Sequence, residues 1–196
     1  MTSVFDLIVI GAGPAGMAAA ATAADGGAQV LLLDEQRQAG GQIYRNVANQ
    51  KTNPEYLGKE YPSGKVLVDK LENKNIKTEF EATVWRIDDR HGVVWSRDGQ
   101  SQKSSAPHIL LAGGAQERPM PFPGWTNPGV MSAGAAQILM KSSGLLPRNA
   151  ILAGSGPLLY LIATQLINAG APPQALVETQ TTSMMLKASR FLPSAL

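Results

Sequence analysis

VFDLIVIGAGPAGMAAAATAADGGAQVLLLDE, residues 4–35, decides the fold. Its opening run, 4–10, is short and β-rich. Gly11 ends it at a turn, and the alanine-rich stretch 14–24 then predicts a helix. Pro14 suits the first helical turn, where its missing N–H goes unused, and Gly26-Gly27 stop the helix before a second apolar run, 30–33. Strand, helix, strand in this order implies a parallel pair with a right-handed crossover.

Outward from this unit, residues 35–64 are rich in Gly, Asn, Gln, Pro and Tyr with no sustained period, a length of loop that is uncommon unless it is functional. Helical spacing follows over 65–74, then a strand over 76–80. ATVWRIDDRHGVVWSRDGQ, 82–100, predicts two strands around a turn at 88–92, in an antiparallel meander, with Trp85 and Trp95 packing in it. A return strand, 109–112, ends in Gly113-Gly114. The proline-rich ERPMPFPGWTNPGV, 117–130, lacks too many N–H donors for regular structure and reads as a connector. Ser132 is placed to cap a helix reaching about Lys141. Residues 150–169 then repeat the opening pattern, with GSGPLL at 154–159 answering GAGPAG at 11–16.

The spacing of the first repeat has a chemical reason. Gly11 permits the tight turn, Gly13 lets a pyrophosphate approach the backbone, and Gly16 lets helix and strand pack closely. The helix N-terminus supplies free N–H groups and the positive end of a dipole. Asp34, 18 residues after Gly16, stands where a carboxylate accepts ribose hydroxyls and disfavours a 2′-phosphate, with Glu35 in reserve. A Rossmann-like turn without nucleotide is the alternative. GGQIYR, 40–45, offers a backbone that can approach a ligand, donors from Gln42 and Arg45, and a stacking surface at Tyr44; a polar surface turn explains it equally well.

Composition removes several function classes. Seventeen basic and fifteen acidic side chains leave +2 with no charge run, so no footprint for nucleic acid or an anionic membrane is present. With no cysteine, the chain builds no disulfide, thiolate zinc site, redox dithiol or cysteine-ligated iron–sulfur cluster. The apolar start lacks a basic n-region and carries Asp6, so it reads as mature structure, and no apolar run approaches the ~20 residues of a membrane span. A cytoplasmic protein is expected. His91 and His108 have no partner pattern for metal or triad chemistry, so no metal site and no catalytic base is assigned.

GAGPAG followed by LLLDEQ, GGQIYR, LLAGGAQERPMPFPGWTNPGV and GSGPLL resembles the FAD-binding subunits of two-dinucleotide-domain flavoproteins, of the opine oxidase, hydroxyproline dehydrogenase, hydrogen cyanide synthase and sarcosine oxidase alpha type. The resemblance implies an α/β fold: a three-layer FAD/NAD(P)-binding Rossmann-type domain with an antiparallel β-meander insertion, over 1–130. A linker helix and the start of a second Rossmann-type βαβ unit follow over 131–196. It implies that Gly11, Gly13, Pro14, Ala15 and Gly16 face the FAD pyrophosphate, Asp34 with Glu35 the adenosine ribose, and Gly41, Gln42 and Arg45 the path to the flavin. Val84 falls on a strand whose backbone reads adenine, and Ala112 with Gly113 on a strand end near the cofactor. LAGG stands where many relatives have an A-T-G triplet. Gly154, Gly156 and Glu178 match a second fingerprint, with Leu159 at the third glycine position; a second dinucleotide or adenine nucleotide is expected there, against a retained half that binds nothing.

The implied activity is oxidation of a C–N bond in an amine, imino acid or opine by hydride transfer to flavin. The alternative is a non-catalytic dinucleotide-binding scaffold subunit. The implied partners are a catalytic beta-type flavoprotein subunit and a small iron–sulfur subunit. In such families the FAD domain closes with strands from far downstream, so these residues are expected to be a fragment of a longer protein.

Overall fold

The structure is a computed structural model that describes residues 5–49 and 54–189. These fall into two compact units, one over 5–49 and 59–116, the other over 54–58 and 117–189.

The first unit is built on a four-stranded parallel sheet. β1 (Leu7–Ile10), α1 (Pro14–Asp25) and β2 (Val30–Leu33) form the predicted crossover, α2 (Gly64–Asp69) leads into β3 (Ile76–Glu79), and β7 (His108–Leu111) closes the order β3-β2-β1-β7. Between β3 and β7 the chain makes the meander β4 (Thr83–Ile87), β5 (Gly92–Arg97) and β6 (Gln100–Ser105). Alternation along the strands assigns the two faces of the sheet. Val9, Val30 and Leu32 pack on Met17, Ala20 and Ala24 of α1, while Ile8, Leu31 and Leu33 pack on Val93 and Trp95 of the meander. Helix, parallel sheet and meander are the three layers expected. β2 is buried on both faces, which is why its sequence, VLLL, shows no polar alternation.

Three local readings change. The polar run QSQKSS is a full strand, β6, paired antiparallel with β5 from Gly92↔Ser105 to Arg97↔Gln100. Its exposed face explains the absence of an apolar signal. Trp85 does not pack with Trp95: a register shift between Val84 and Arg86 interrupts β4, and Trp85 is 57% exposed whereas Trp95 is buried and donates to Ser104 Oγ. Helix 65–74 is shorter than expected, passing after Asp69 into a 3₁₀ turn, Lys70–Glu72.

The second unit contains α3 (Ala133–Ser143), β8 (Ile151–Gly154), α4 (Pro157–Asn168), β9 (Ala175–Glu178) and α5 (Thr182–Ser189). β8 and β9 are parallel, as the repeat predicts. Its core gathers Met140, Ile162 and Leu166, with Tyr56 and Leu152 against them. Ser132 caps α3 through Oγ, as expected, and Glu117 adds its carboxylate to the Gly134 N–H at 2.9 Å. Gly144, with φ of 65°, ends that helix in the left-handed conformation. Among the described residues no helix is long and apolar enough to cross a membrane.

Candidate functional site

The carboxyl ends of β1, β2 and β7 bring four separate stretches together. After β1, Gly11 takes φ of 105°, and a methyl group there would meet Ala112 O at 2.3 Å. At Gly16 it would meet Gly11 O at 1.8 Å. These contacts are the physical reason for both glycines: the first turn of α1 lies directly against the end of β1 and the residue after β7. Gly13 sits against Gly41, whose own added methyl would approach Gly13 Cα to 2.9 Å. The Gly40 N–H donates to Ala12 O at 2.9 Å, so GGQIYR is fastened onto the fingerprint.

Polar contacts lock the same arrangement. Asp34 accepts the Ala12 N–H on Oδ2 and the Gln36 N–H, at 2.7 Å, on Oδ1. Arg45 Nη1 donates to Gln36 Oε1 at 3.0 Å, and Gln42 Nε2 donates to Ala115 O at 2.8 Å. Asp34 therefore organises the loop backbone, a role beyond the ribose contact expected of it. The signal for it was available: a short acid at a strand end beside a glycine turn faces unpaired N–H groups. Tyr44 is held within the unit. Its ring covers Gly64, where an added methyl would meet Tyr44 Cγ at 2.3 Å, and it packs against the core beneath α1.

The remaining expected residues lie around this cluster or away from it. Ala15 and Glu35 are exposed, and Glu35 Oε1 accepts from Gln36 Nε2 at 3.3 Å. Gly113 is exposed with open space where a methyl would stand, and Ala112 is half-buried beside Gly16. Val84 is half-buried on β4, paired with Trp95. His91 lies in the exposed turn between β4 and β5, and His108 at the start of β7, the opposite end of that strand from the glycines.

Helix N-termini differ in how they are satisfied. α3 is closed by Ser132 and Glu117, but no side chain caps α1 or α4, and neither has an acidic residue in its first turn. Each of those two helices follows a glycine fingerprint and starts with proline. Their N–H groups and dipole ends fit an anion. Beside α4, Gly154 (φ 154°) and Gly156 (φ 89°) have open space, and Leu159 is buried at the third position. Glu178, at the end of β9, accepts the Gln180 N–H at 3.0 Å and the Tyr160 hydroxyl at 2.7 Å. These hydrogen bonds, the backbone one first, hold the Glu178 carboxyl below its ordinary pKa, and the Tyr160 phenol is raised by its bond to the carboxylate. Among the described residues, three or more His, Cys, Asp or Glu side chains nowhere cluster to hold a metal ion.

Residues 5–193 match the family described as pyridine nucleotide-disulphide oxidoreductase. The opine oxidase A-subunit of Agrobacterium tumefaciens (strain Ach5) is 42% identical over 100% of this chain and 41% of its own length. Hydrogen cyanide synthase subunit HcnB of Pseudomonas aeruginosa is 37% identical over 94% of this chain and 41% of its own. The crystal structure of L-proline dehydrogenase from P. horikoshii superposes with a TM-score of 0.71 at 25% identity, covering 89% of this chain and 35% of that one. The chain thus spans about two-fifths of the length of these two curated relatives.

Proposed function

The chain belongs to the pyridine nucleotide-disulphide oxidoreductase family, and from that membership we propose that it is the flavin-binding part of an FAD-dependent oxidoreductase subunit. The substrate class is an amine, imino acid or opine whose C–N bond is oxidised. FAD, when bound, supplies the two-electron acceptor for that chemistry. The chain's own task is to hold and orient the cofactor. The observation that carries this reading is the uncapped start of α1 above Gly11, Gly13 and Gly16, with Gly41 laid against Gly13. A pyrophosphate satisfies the N–H groups that no side chain reaches.

In this reading Gly13, Pro14, Ala15 and Gly16 receive the pyrophosphate, and Gly11 and Ala112 keep the turn open for it. Asp34 receives the adenosine ribose through the lone pairs that its backbone donors leave free, with Glu35 beside it. Gly41, Gln42 and Arg45 continue the wall, Gly113 flanks it, and Val84 offers its backbone to adenine. Gly154, Gly156 and Glu178 form a second site for a nucleotide with a free ribose diol. Without cysteine, the dithiol chemistry in the family's description is not carried by this chain. Its partners are a catalytic beta-type flavoprotein subunit and a small iron–sulfur subunit, in the cytoplasm.

The purified full-length protein should be yellow, and its flavin absorbance should bleach anaerobically on adding an opine, sarcosine or hydroxyproline. A colourless protein that takes up no FAD would overturn the proposal. Bound flavin that no such substrate bleaches, in a protein copurifying with a beta-type chain, would favour the scaffold reading.

A further inference from the structure

The acids at the ends of β2 and β9 are held by donors from different sources. Asp34 takes one backbone N–H on each oxygen, from Ala12 in the fingerprint loop and from Gln36 two residues on. Glu178 also takes the N–H two residues on, from Gln180, but its other oxygen accepts the hydroxyl of Tyr160. An ionised carboxylate has about four acceptor positions. With these donors in place a carboxylate still has acceptor positions to offer, and those can take the two hydroxyls of a ribose.

A glutamate is one methylene longer than an aspartate. Its carboxylate needs a donor that reaches beyond the loop backbone. Tyr160 supplies one from the first turn of α4, directly after the buried Leu159 that anchors this turn. The Thr179 N–H donates to Gly154 O at 2.9 Å, which fixes the end of β9 and its acid in register with the glycines. Tyr160 is 43% exposed, so its hydroxyl is not needed to fill the core.

We propose that Tyr160 is the positioning residue of the second fingerprint: its hydroxyl fixes the Glu178 carboxylate to receive a ribose diol, and so sets a preference for a free 2′-hydroxyl over a 2′-phosphate. A carboxylate held in this way presents a localised negative charge where the extra phosphate would lie. The inference rests on the second-nucleotide reading given above.

The test titrates NADH and NADPH, followed by nicotinamide fluorescence, into the full-length protein with FAD kept saturating, for wild type, Tyr160→Phe and Glu178→Gln. Wild type is expected to bind NADH more tightly than NADPH. Tyr160→Phe should weaken NADH about fivefold to tenfold, less than the loss of a direct hydrogen bond to a charged group because Tyr160 acts through Glu178, and leave NADPH nearly unchanged, so that the preference shrinks. Glu178→Gln should remove the preference. Unchanged affinity and preference in Tyr160→Phe would overturn the role of Tyr160 while leaving the second site standing. Equal weakening of both nucleotides would also overturn it, since a purely structural defect does not discriminate. Wild type that binds neither nucleotide would overturn the second-site reading, and this inference with it.

Discussion

At Gly11 and Gly16 a methyl group would meet a backbone oxygen at 2.3 and 1.8 Å, whereas at Gly154 and Gly156 it would meet nothing within 4 Å. The first fingerprint uses glycine because helix, strand and neighbouring strand end occupy one small volume. The second uses glycine for its dihedral angles alone, and fills the third position with a leucine that packs. Similar spacing therefore serves close approach in one unit and a backbone conformation in the other. The strands follow suit: β2 is buried throughout, while Ile151 of β8 and Val177 of β9 are 63% and 48% exposed.

This contrast can be broken most severely at Gly16. Gly16→Val drives a side chain into Gly11 O, and the first unit should lose about 4 kcal/mol or more, read as lost amide-exchange protection in α1. Retained protection would mean that the close approach is not what glycine is for. Leu159→Ala examines the opposite claim, that the third position of the second fingerprint is core. A loss of about 2–3 kcal/mol in the exchange of α4 is expected. An unchanged α4 would reduce Leu159 to a surface residue. Smaller still is Gly156→Ala, which adds a methyl in open space at φ of 89° and should cost about 1–2 kcal/mol from backbone strain alone. A cost matching that of Gly16→Val would erase the distinction between the two fingerprints.

The smallest effect concerns the acid of the second unit. The folded-state pKa of Glu178 is lowered by its hydrogen bonds, so its stabilising contribution is present above the ordinary glutamate range and is lost as pH falls through the lowered value. The difference in thermal midpoint between wild type and Glu178→Gln should be seen at pH 7 and close as the pH falls through and below the ordinary glutamate range. A gap that persists into acid would show that ionisation has no part in it.

Much of this was legible because the signals were local. Pro14, Gly26 and the apolar runs marked both ends of α1 and both its strands, and Ser132 marked the start of α3. What escaped depended on partners distant in sequence. β6 has no apolar pattern because its stability comes from the ladder to β5. Trp85 turns outward at a register shift that no residue type announces. Tyr44 resembles a ligand surface in sequence because only the fold reveals Gly64 beneath its ring. Tyr160 and Glu178 lie 18 positions apart, and nothing in either residue's neighbourhood says that a helix turn and a strand end will face one another. Asp34 was legible as the acid at the strand end, yet its hold on Ala12 belongs to the folded loop.

The pairing of β1 with β7, Leu7↔His108 to Ile10↔Leu111, has a consequence for synthesis. β1, α1 and β2 emerge before β7 during synthesis, so β1 has an unpaired edge until the chain through Leu111 has followed. Sheets closed by such distant segments form slowly, and an open strand edge invites association with other chains in the interval. The meander between β3 and β7 fills part of that interval with local hairpin structure that carries apolar surface of its own, Val93 and Trp95, ready for the waiting face of the sheet.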